Sequence, residues 1–526
     1  MSHDYDYLVV GSGFGGSVSA HRLIEKGYSV GVIEMGRRYR SEDFPKTNWS
    51  LRNFLWLPQA MCHGIFRMTL LKDIFVLSGA GVGGGSLVYA NTLLVPPNKV
   101  WDDPRWKDVD SWRDVMPKHY AMAQRMLGAA PYPRMTKADE IVLEYARSIG
   151  TEESFVPATL GVFYGEEGVT VPDPYFDGKG PDRTGCIHCG GCMIGCRYGA
   201  KNTLDRNYLY LAEQGGAEVL PELRVTAVVP LQDGGYRVET ERSTSWLFKK
   251  KRSFTAKKVI LSAGVLGTVP LLMKCRDAGH LPNVSAELGN FVRTNSEAIV
   301  GVSSRDPSFD ITDGAAITSK IDLDEHTHLE PVRYSRGSDA LSSLSTLLVD
   351  GGSGMPRPLR WVGACIRHPI DFVQTLWPFG WAKRSLILLV MQTVESHMRV
   401  RLKRRWWMPW SKALTTDATG SEVPRYIPAA NEAARGIAKQ MNGMPVSSIT
   451  EVLLDVPTTA HILGGCAMGG DGESGVIDGQ NQVFGHPGLY VIDGSMIGAN
   501  LGVNPSLTIT ALAERAMSQV PAKAEA

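Results

Sequence analysis

The sequence predicts an α/β fold, and four neighbouring segments near its start support this class. Residues 5–10 form a short apolar run typical of a strand, and the glycine-rich residues 11–16 (GSGFGG) follow directly. Residues 17–26 have helical composition, and a second apolar run at 29–33 ends in Glu34. A strand, a glycine-rich turn, a helix and a second strand in this order indicate a βαβ unit of Rossmann type.

The glycine turn, residues 11–16, has the spacing that binds the pyrophosphate of a dinucleotide. Gly11 permits the tight turn, Gly13 permits close approach of the phosphates, and Gly16 permits the helix to pack on the strand. The N-terminus of the helix then faces the phosphates. Glu34 lies where an acidic side chain meets a ribose hydroxyl. This motif predicts a dinucleotide cofactor but does not distinguish FAD from NAD.

A second glycine-rich segment, residues 81–86, has four glycines in its first five positions. Backbone without Cβ atoms can lie against a large planar ligand. The flanking residues 74–77 and 87–90 are apolar, which favours a buried position over a flexible surface loop. The segment therefore favours a cofactor with a large ring system.

The C-terminal part of the chain has a strand, a capped helix and a histidine that together suggest a catalytic centre. Residues 489–492 form an apolar run, and residues 506–517 have helical composition. Pro505 suits the first helical turn, and Asn504 suits the N-cap. His461 could act as a general base because the ordinary pKa of imidazole lies near neutrality. A purely structural histidine is the alternative.

Composition excludes several classes of function. The chain has 526 residues with a net charge of +1, so no global field favours nucleic acid as a partner. Few residues precede the first strand, and no apolar run reaches the roughly 20 residues of a transmembrane helix. We therefore expect a cytoplasmic protein. Eight cysteines in such a chain argue against a disulfide framework.

Taken together, these segments resemble the glucose–methanol–choline (GMC) oxidoreductases, and most closely the cholesterol-oxidase-like branch. The matching segments are 11–16 with Glu34, 81–88, 461–465 and 493–505. The resemblance implies non-covalent FAD and two lobes. A Rossmann-like FAD-binding lobe would comprise residues 1–300 and 450–526, with a lid-like segment at 45–70 and a cysteine-rich loop at 184–200. A substrate-binding lobe, built on a mainly antiparallel sheet with helices, would comprise residues 300–450.

The resemblance also implies roles for individual residues. His461 would accept the hydroxyl proton while hydride passes from the carbinol carbon to flavin N5. Asn504 would hydrogen-bond the substrate oxygen or the flavin. The residues implied to bind FAD are Gly11, Gly13, Phe14, Gly15, Gly16, Glu34, Gly85, Tyr89, Val225, Asp493, Gly494 and Asn504.

The chain departs from the family pattern at three places. Tyr89 stands where this branch has an asparagine that contacts the flavin, and Ile462 replaces a proline after the histidine. Ser506 replaces an aromatic residue. For the glutamate that isomerises a steroid double bond in this branch, Glu395 is the candidate only because it is acidic within an apolar stretch. A structural ion pair is the alternative for Glu395.

Half of the cysteines lie in one short motif. Cys186, Cys189, Cys192 and Cys196 have C-x2-C-x2-C-x3-C spacing, which is that of bacterial ferredoxins. The motif predicts a [4Fe–4S] or [3Fe–4S] cluster, with structural zinc and buried free thiols as alternatives. A cluster near flavin would pass electrons singly to a protein or a quinone, and oxygen would then be a poor acceptor.

Residues 354–411 are rich in aromatic and basic side chains. They include six of the twelve tryptophans, and ten Lys or Arg residues against two acidic ones, Asp371 and Glu395. This composition favours the wall of a pocket for a bulky apolar alcohol, and peripheral contact with a membrane is the alternative. Residues 398–403 alternate as in a strand with one basic face, and residues 369–381 are predicted to be a loop rather than a long helix.

The sequence therefore predicts an FAD-dependent oxidoreductase for a bulky apolar alcohol, with a sterol as one candidate substrate. His461 is the expected base, and an acceptor other than oxygen is the expected electron sink. The alternatives are an oxygen-using alcohol or sterol oxidase without a cluster, and a flavoprotein electron carrier without alcohol chemistry. An electron carrier needs neither His461 nor Asn504.

Overall fold

The computed structural model describes residues 3–352, 354–405, 408–419 and 423–524. The predicted βαβ unit is present, with strands Tyr5–Val10 and Val30–Ile33 around the helix Phe14–Glu25. The helix begins three residues earlier than its composition indicates, because Gly13 already has the extended conformation of a helix cap. Phe14 and the two glycines after it are therefore helical.

A first sheet of seven strands is built around this unit. The strands Glu218–Leu220, Val30–Ile33, Tyr5–Val10 and Lys251–Leu261 pair in parallel. The strands Tyr236–Arg242 and Leu223–Pro230 extend this sheet in antiparallel fashion. The seventh strand, Leu489–Val491, pairs in parallel with the end of Lys251–Leu261. This last pairing brings the tail of the chain to the edge of the sheet at which the glycine turn lies.

A second sheet has seven strands, and all of its pairings are antiparallel. This sheet confirms the predicted fold class. How residues 1–300, 300–450 and 450–526 divide between two lobes stays a prediction. In order across the sheet, the strands are Ser345–Leu347, Gly443–Ser448, Ala298–Ser304, Ser385–Gln392, Thr327–Val332, Ser319–Asp324 and Val156–Pro157.

Helices pack on both sheets, and several smaller sheets complete the fold. The further α-helices are Leu51–Phe54, Trp112–Met126, Lys137–Ile149, Tyr208–Gln214, Val265–Asp277, Arg357–Arg367, Pro369–Leu376, Trp381–Arg384, Pro428–Gln440, Ile449–Leu454 and Ser506–Ser518. In the smaller sheets, Phe75–Gly79 pairs with both Phe66–Leu70 and Thr458–Thr459, Met398–Arg405 with Met408–Ala418, Trp56–Leu57 with Cys62–His63, Ala129–Pro131 with Thr159–Gly161, and Thr170–Val171 with Arg183–Thr184.

Two sequence predictions about local structure are wrong. The residue at the N-cap of the helix Ser506–Ser518 is Pro505, so Asn504 does not cap the helix. Residues 369–381 are not a loop, because they contain the helix Pro369–Leu376 and the start of the next helix. Of the predicted tryptophan-rich stretch, Trp406 and Trp407 lie outside the described residues. Among the described residues, no helix combines the length and the apolarity needed to cross a membrane.

Candidate active site

One large cavity of about 1270 Å³ extends from the glycine turn to the face of the second sheet. It is lined by twelve of the thirteen residues that the sequence predicts to bind the cofactor or to act in catalysis. Gly16 is the exception, since a Cβ there would lie 2.0 Å from the Gly11 carbonyl oxygen, as expected of a packing glycine. The predicted residues that line the cavity are Gly11, Gly13, Phe14, Gly15, Glu34, Gly85, Tyr89, Val225, His461, Asp493, Gly494 and Asn504.

The glycine turn combines tight packing against the protein with an open face toward the large cavity. A Cβ on Gly11 would lie 2.3 Å from the carbonyl oxygen of Ser262, and one on Gly15 would lie 1.8 Å from that of Ile492. A Cβ on Gly13, in contrast, would meet no atom within 4 Å. The backbone at Gly13 is therefore accessible from the cavity, as a site for a pyrophosphate requires.

Glu34 holds the glycine turn in place from the edge of the same cavity. Its Oε2 accepts hydrogen bonds from the hydroxyl of Ser12 at 2.7 Å and from the backbone N–H of Ser12 at 3.1 Å. Its Oε1 accepts a hydrogen bond from the N–H of Gly36 at 2.8 Å. Burial raises the pKa of Glu34 above its ordinary value, and these hydrogen bonds oppose the shift. The Ser12 hydroxyl also accepts from the N–H of Gly83 at 3.0 Å, which joins the two glycine-rich segments.

Asp493 connects the tail of the chain to the helix Val265–Asp277. Its Oδ2 accepts from the N–H of Gly264 at 2.9 Å and from the hydroxyl of Thr268 at 2.5 Å. Its Oδ1 accepts from the N–H of Ser495 at 2.8 Å. Burial raises the pKa of this carboxyl group. Asp493 thus lines the large cavity while its carboxylate is engaged by the protein itself.

Tyr89 lines the large cavity beside Phe14, and Val225 lines it from the first sheet. The hydroxyl of Tyr89 donates to the carbonyl oxygen of Asn202 at 3.2 Å, and its ring meets the ring of Phe14 edge-on at 5.5 Å between centroids. Val225 lies in the strand Leu223–Pro230, next to an irregularity in its pairing. Tyr89 therefore contributes an aromatic surface where the family pattern has a small amide.

His461 follows the short strand Thr458–Thr459 and faces a buried carboxylate. Its Nδ1 lies 3.0 Å from Oε2 of Glu297, without the alignment of a linear hydrogen bond. Glu297 is itself fixed, because it accepts from the hydroxyl of Thr459 at 2.7 Å and from the N–H of Ala460. Burial lowers the pKa of His461, but the charges of Glu297 and Glu330 outweigh this and raise it above its ordinary value.

Asn504, which lines the large cavity, contacts a second buried carboxylate, that of Glu330. Its Nδ2 donates to Oε2 of Glu330 at 3.2 Å, and its Oδ1 has no hydrogen-bond partner among the described residues. Oε1 of Glu330 lies 3.4 Å from Nε2 of His328, and neither atom forms a hydrogen bond in the described part of the chain. Buried polar atoms without partners are costly, so Oδ1 of Asn504, whose residue lines the large cavity, is suited to binding a polar ligand.

Sequence reasoning missed Glu297 and Glu330. The only local signal is an acidic residue within an apolar strand, as Glu330 is in Thr327–Val332. Glu395, which did have such a signal, is not among the residues that line the large cavity. It instead forms an ion pair with Arg293, with 2.9 Å between Oε2 and Nη1, as the alternative for this residue predicted.

The second sheet supplies an apolar wall to the large cavity. Trp56 and Phe66, from the predicted lid-like segment 45–70, also line it. Phe54 is buried behind them, and its ring stacks on that of Phe66 at 4.9 Å. The strands of the second sheet contribute Ile299, Val332, Ile387, Leu389 and Val446 to this apolar wall, and neighbouring segments add Ile317, Tyr334, Leu341, Leu344 and Trp381.

Comparisons with known proteins identify the family of the chain. Two family models described as GMC oxidoreductase match residues 180–289 and 410–513. A protein named cholesterol oxidase from Acinetobacter baumannii is 50% identical over 531 residues, which cover 99% of this chain and 95% of that protein. A protein of the same name from Mycobacterium tuberculosis is 48% identical, with 100% of this chain and 92% of that protein covered.

The chain belongs to the GMC oxidoreductase family. It is therefore an FAD-dependent alcohol oxidoreductase. Solved structures agree on the fold: pyridoxine 4-oxidase from Mesorbium loti has a TM-score of 0.63 at 16% identity, with 98% of both chains covered. A fungal aryl-alcohol oxidase has a TM-score of 0.58 at 15% identity, with 98% of this chain and 99% of that chain covered.

FAD fits the observed cavity on structural grounds. The open face at Gly13 suits the pyrophosphate, and a Cβ on Gly264 would likewise meet no atom within 4 Å. Glu34 lies at the edge of the cavity near the glycine turn, and the polar atoms of His461 and Asn504 lie on the side of the second sheet. The cavity therefore has a place for the phosphates of FAD at the glycine turn, and the polar atoms of His461 and Asn504 lie apart from it.

Proposed function

We propose that this GMC oxidoreductase oxidises the hydroxyl group of a bulky apolar alcohol, with a sterol as the favoured substrate and His461 as the base. The observation that supports it best is one shared cavity. His461, Asn504 and the glycine turn line that cavity, and much of its wall on the side of the second sheet is apolar. A small polar alcohol would leave most of this apolar wall without contact.

The residues of the chain have distinct roles in this proposal. Glu297 faces Nδ1 of His461, which leaves Nε2 as the nitrogen that accepts the hydroxyl proton. The imidazolium that results is stabilised by the buried carboxylates of Glu297 and Glu330. Oδ1 of Asn504 is free to accept a hydrogen bond from the alcohol and so to orient it. Bound FAD supplies the hydride acceptor.

The choice of a sterol rests on shape and on the relatives. The apolar wall is wide and includes both aromatic and branched aliphatic side chains. The two relatives at 48% and 50% identity are named cholesterol oxidases. A rigid polycyclic alcohol buries more apolar surface against such a wall than a short alkanol does, at about 25 cal/mol per Å².

The proposed function has two versions, which differ in the electron acceptor that reoxidises the reduced flavin. The relatives' name, oxidase, favours oxygen, whereas the four-cysteine motif favours a one-electron acceptor other than oxygen. Reduced enzyme prepared with substrate under anaerobic conditions distinguishes them when it is mixed with either oxygen or a quinone. Faster reoxidation by oxygen supports the first version, and faster reoxidation by the quinone supports the second.

We also propose that the enzyme takes its substrate from a lipid surface. The helices Arg357–Arg367 and Pro369–Leu376 expose six apolar side chains, among them Ile366 at 76% and Ile370 at 73%. Arg367 lies at the end of the first of these helices, and Lys383 lies in the helix that follows them, Trp381–Arg384. Exposed apolar patches with basic flanks bind membrane interfaces. The exposed side chains are Leu359, Val362, Ile366, Ile370, Val373 and Leu376.

This apolar surface lies beside the large cavity. Phe379 follows the second helix and stacks on Trp49 of the lid-like segment at 6.3 Å between ring centroids. Trp381, two residues further on, lines the cavity itself. A lipid alcohol could therefore pass from a membrane into the cavity without crossing open water. Flotation with lipid vesicles tests the contact, and protein that never floats with them would contradict it.

The experiment that tests the proposed function is anaerobic reduction of the bound flavin by a panel of alcohols. The panel extends from short alkanols through long-chain alkanols to sterols, and flavin absorbance is the readout. We expect reduction by sterols or other bulky alcohols at rates far above those of short alkanols. No reduction by any alcohol would support the alternative, an electron carrier without alcohol chemistry.

A further inference from the structure

A second cavity, of about 520 Å³, is formed around the predicted cysteine motif. The side chains of Cys186, Cys189, Cys192 and Cys196 all line it, together with glycines of the same loop. None of the eight cysteines of the chain forms a disulfide. Four reduced thiols thus share one cavity, which we call the cysteine cavity.

The backbone of this loop is shaped around the cysteine cavity. Gly190 and Gly195 have φ values of +69° and +92°, and His188 has a φ of +54° even though it carries a side chain. This conformation places the backbone N–H of His188 3.4 Å from the sulfur of Cys186, with the geometry of a hydrogen bond. N–H groups directed at sulfur stabilise thiolates and bound clusters.

The buried ammonium group of Lys201 lies beside the cysteine cavity. Lys201 is 2% exposed, and its Nζ donates to the carbonyl oxygens of Leu87, Tyr89 and Cys192 at 3.0, 2.9 and 2.7 Å. Within the described ranges, no carboxylate forms an ion pair with this ammonium group. Lys201 also lines the cysteine cavity. A buried ammonium needs a counter-charge, and a cluster held by four thiolates carries net negative charge.

The four thiols do not form a ready site for a single metal ion. In the described part of the chain, no group of three or more His, Cys, Asp or Glu side chains is arranged to hold one metal ion. A tetrahedral zinc site requires all its ligands around one centre. In a cubane cluster each thiolate binds a different iron, so the thiols lie further apart around a larger volume.

We propose that the cysteine cavity is the binding site of a [4Fe–4S] cluster. Cys186, Cys189, Cys192 and Cys196 would each bind one iron as thiolates, and Lys201 would balance part of the negative charge. The proposal goes beyond the oxidation of the alcohol and does not depend on the identity of the substrate.

The position of the cysteine cavity gives the cluster a role. Residues 192–194 form one short turn between the two cavities, in which Met193 lines the large cavity while Cys192 and Ile194 line the cysteine cavity. Lys201 lies between the same two cavities, since its Nζ donates to the carbonyl oxygens of both Cys192 and Tyr89. A cluster here would lie beside the FAD site, where electrons leaving a reduced flavin could reach it one at a time.

The test is metal and sulfide analysis of FAD-bound enzyme that has been reconstituted anaerobically with iron and sulfide. We expect about four irons and about four acid-labile sulfides per chain. After reduction by dithionite we expect an electron paramagnetic resonance signal of a reduced cluster. Folded, FAD-bound enzyme that retains neither iron nor sulfide would overturn the proposal, as would zinc without labile sulfide.

A matched pair of variants locates the site. Cys186→Ser combined with Cys189→Ser should lose the iron and the resonance signal, whereas Cys365→Ser, on the helix Arg357–Arg367, should retain both. Full iron content in the double variant would overturn the assignment.

If the double variant fails to fold, alkylation of the wild-type enzyme tests the same assignment. The four thiols should resist alkylation until the iron is removed, and equal labelling before and after removal would contradict the proposal.

Discussion

The imidazole of His461 is subject to opposing effects. Burial disfavours its charged form and lowers the pKa, whereas the carboxylates of Glu297 and Glu330 favour that form and raise the pKa more strongly. A base must be neutral to accept a proton. The rate of flavin reduction should therefore increase with pH as His461 loses its proton, and the midpoint of this increase should lie above the ordinary value of about 6.5.

The Glu297→Gln change tests the role of this carboxylate as a positioning group. The amide removes the charge that raises the pKa of His461, so the midpoint of the acid limb should shift to lower pH. The plateau rate should also fall, by about tenfold or more, because the ring loses a partner that stabilises the imidazolium. The measurement is the pH profile of anaerobic flavin reduction by substrate.

The control for this change is Glu395→Gln, whose carboxylate is engaged with Arg293 and does not line the large cavity. It should leave the midpoint where it is in the wild-type enzyme. A Glu297→Gln enzyme with an unchanged midpoint would show that Glu297 does not set the pKa of His461.

At the residue scale, the sequence could predict His461 and Asn504 but not their partners. Gly464 and Gly465 after the histidine, and Pro505 after the asparagine, are local patterns that a single chain displays. Glu297 directly precedes the strand Ala298–Ser304 and lies far from His461 along the chain, so only the tertiary fold brings the two side chains together. A contact of this kind leaves no local signal in the sequence.

The glycine turn is the element on which the cofactor depends. Gly13→Ala should leave the fold intact, since the added Cβ meets no protein atom within 4 Å and the φ of −72° suits alanine. The same Cβ would occupy space at the open face of the cavity. We expect FAD affinity to fall by at least about tenfold, or about 1.4 kcal/mol. Titration of the apoprotein with FAD measures this.

Gly363→Ala is the matched control for this change. Gly363 lies in the helix Arg357–Arg367, and a Cβ there also meets no atom within 4 Å. FAD affinity should stay at the wild-type value in this variant. If Gly13→Ala binds FAD as tightly as Gly363→Ala does, the pyrophosphate does not lie against the turn.

The exposed helices allow a direct test of lipid contact. Ile366→Glu combined with Ile370→Glu places two charges in the apolar surface, and the fraction of protein that floats with anionic vesicles should fall by about tenfold or more. Ile149→Glu, on an exposed position of another helix, is the control and should float as the wild-type protein does. Equal flotation of both variants would place any lipid contact elsewhere.

At the scale of elements, the predictions succeeded where an apolar run alone determines a strand. The strand Tyr5–Val10 has the predicted bounds, and the strand Leu489–Val491 is one residue shorter than predicted. The secondary structure of residues 369–381 was harder to predict, because Pro369 begins a helix there instead of interrupting one. A proline in the sequence does not by itself show whether it begins a helix or lies in a loop.

At the scale of the whole molecule, the active site is assembled from distant parts of the chain. The glycine turn comes from the start, the apolar wall from the middle, and His461 and Asn504 from the tail. The pairing of Leu489–Val491 with Lys251–Leu261 makes this assembly possible. Composition and periodicity indicated the βαβ unit, but the second, antiparallel sheet was expected only from the family resemblance.

FAD should stabilise the molecule as a whole, because residues from both ends of the chain line its site. Removal of FAD should lower the unfolding temperature, and adding FAD back should raise it in proportion to the logarithm of its concentration. At a free concentration 100 times the dissociation constant, the gain is about 2.7 kcal/mol. Differential scanning fluorimetry measures the shift. An unfolding temperature that does not respond to FAD would indicate that the cavity is not its site.

The most direct test of the proposed chemistry is anaerobic stopped-flow reduction of the FAD-bound enzyme by a sterol. Wild-type enzyme should lose its oxidised flavin absorbance with the sterol and retain it with ethanol. The His461→Gln enzyme, loaded with FAD to the same extent, should react roughly 10²–10⁴-fold more slowly. Reduction of this variant at the wild-type rate, or of the wild-type enzyme by ethanol as readily as by the sterol, would contradict a histidine base acting on a bulky apolar alcohol.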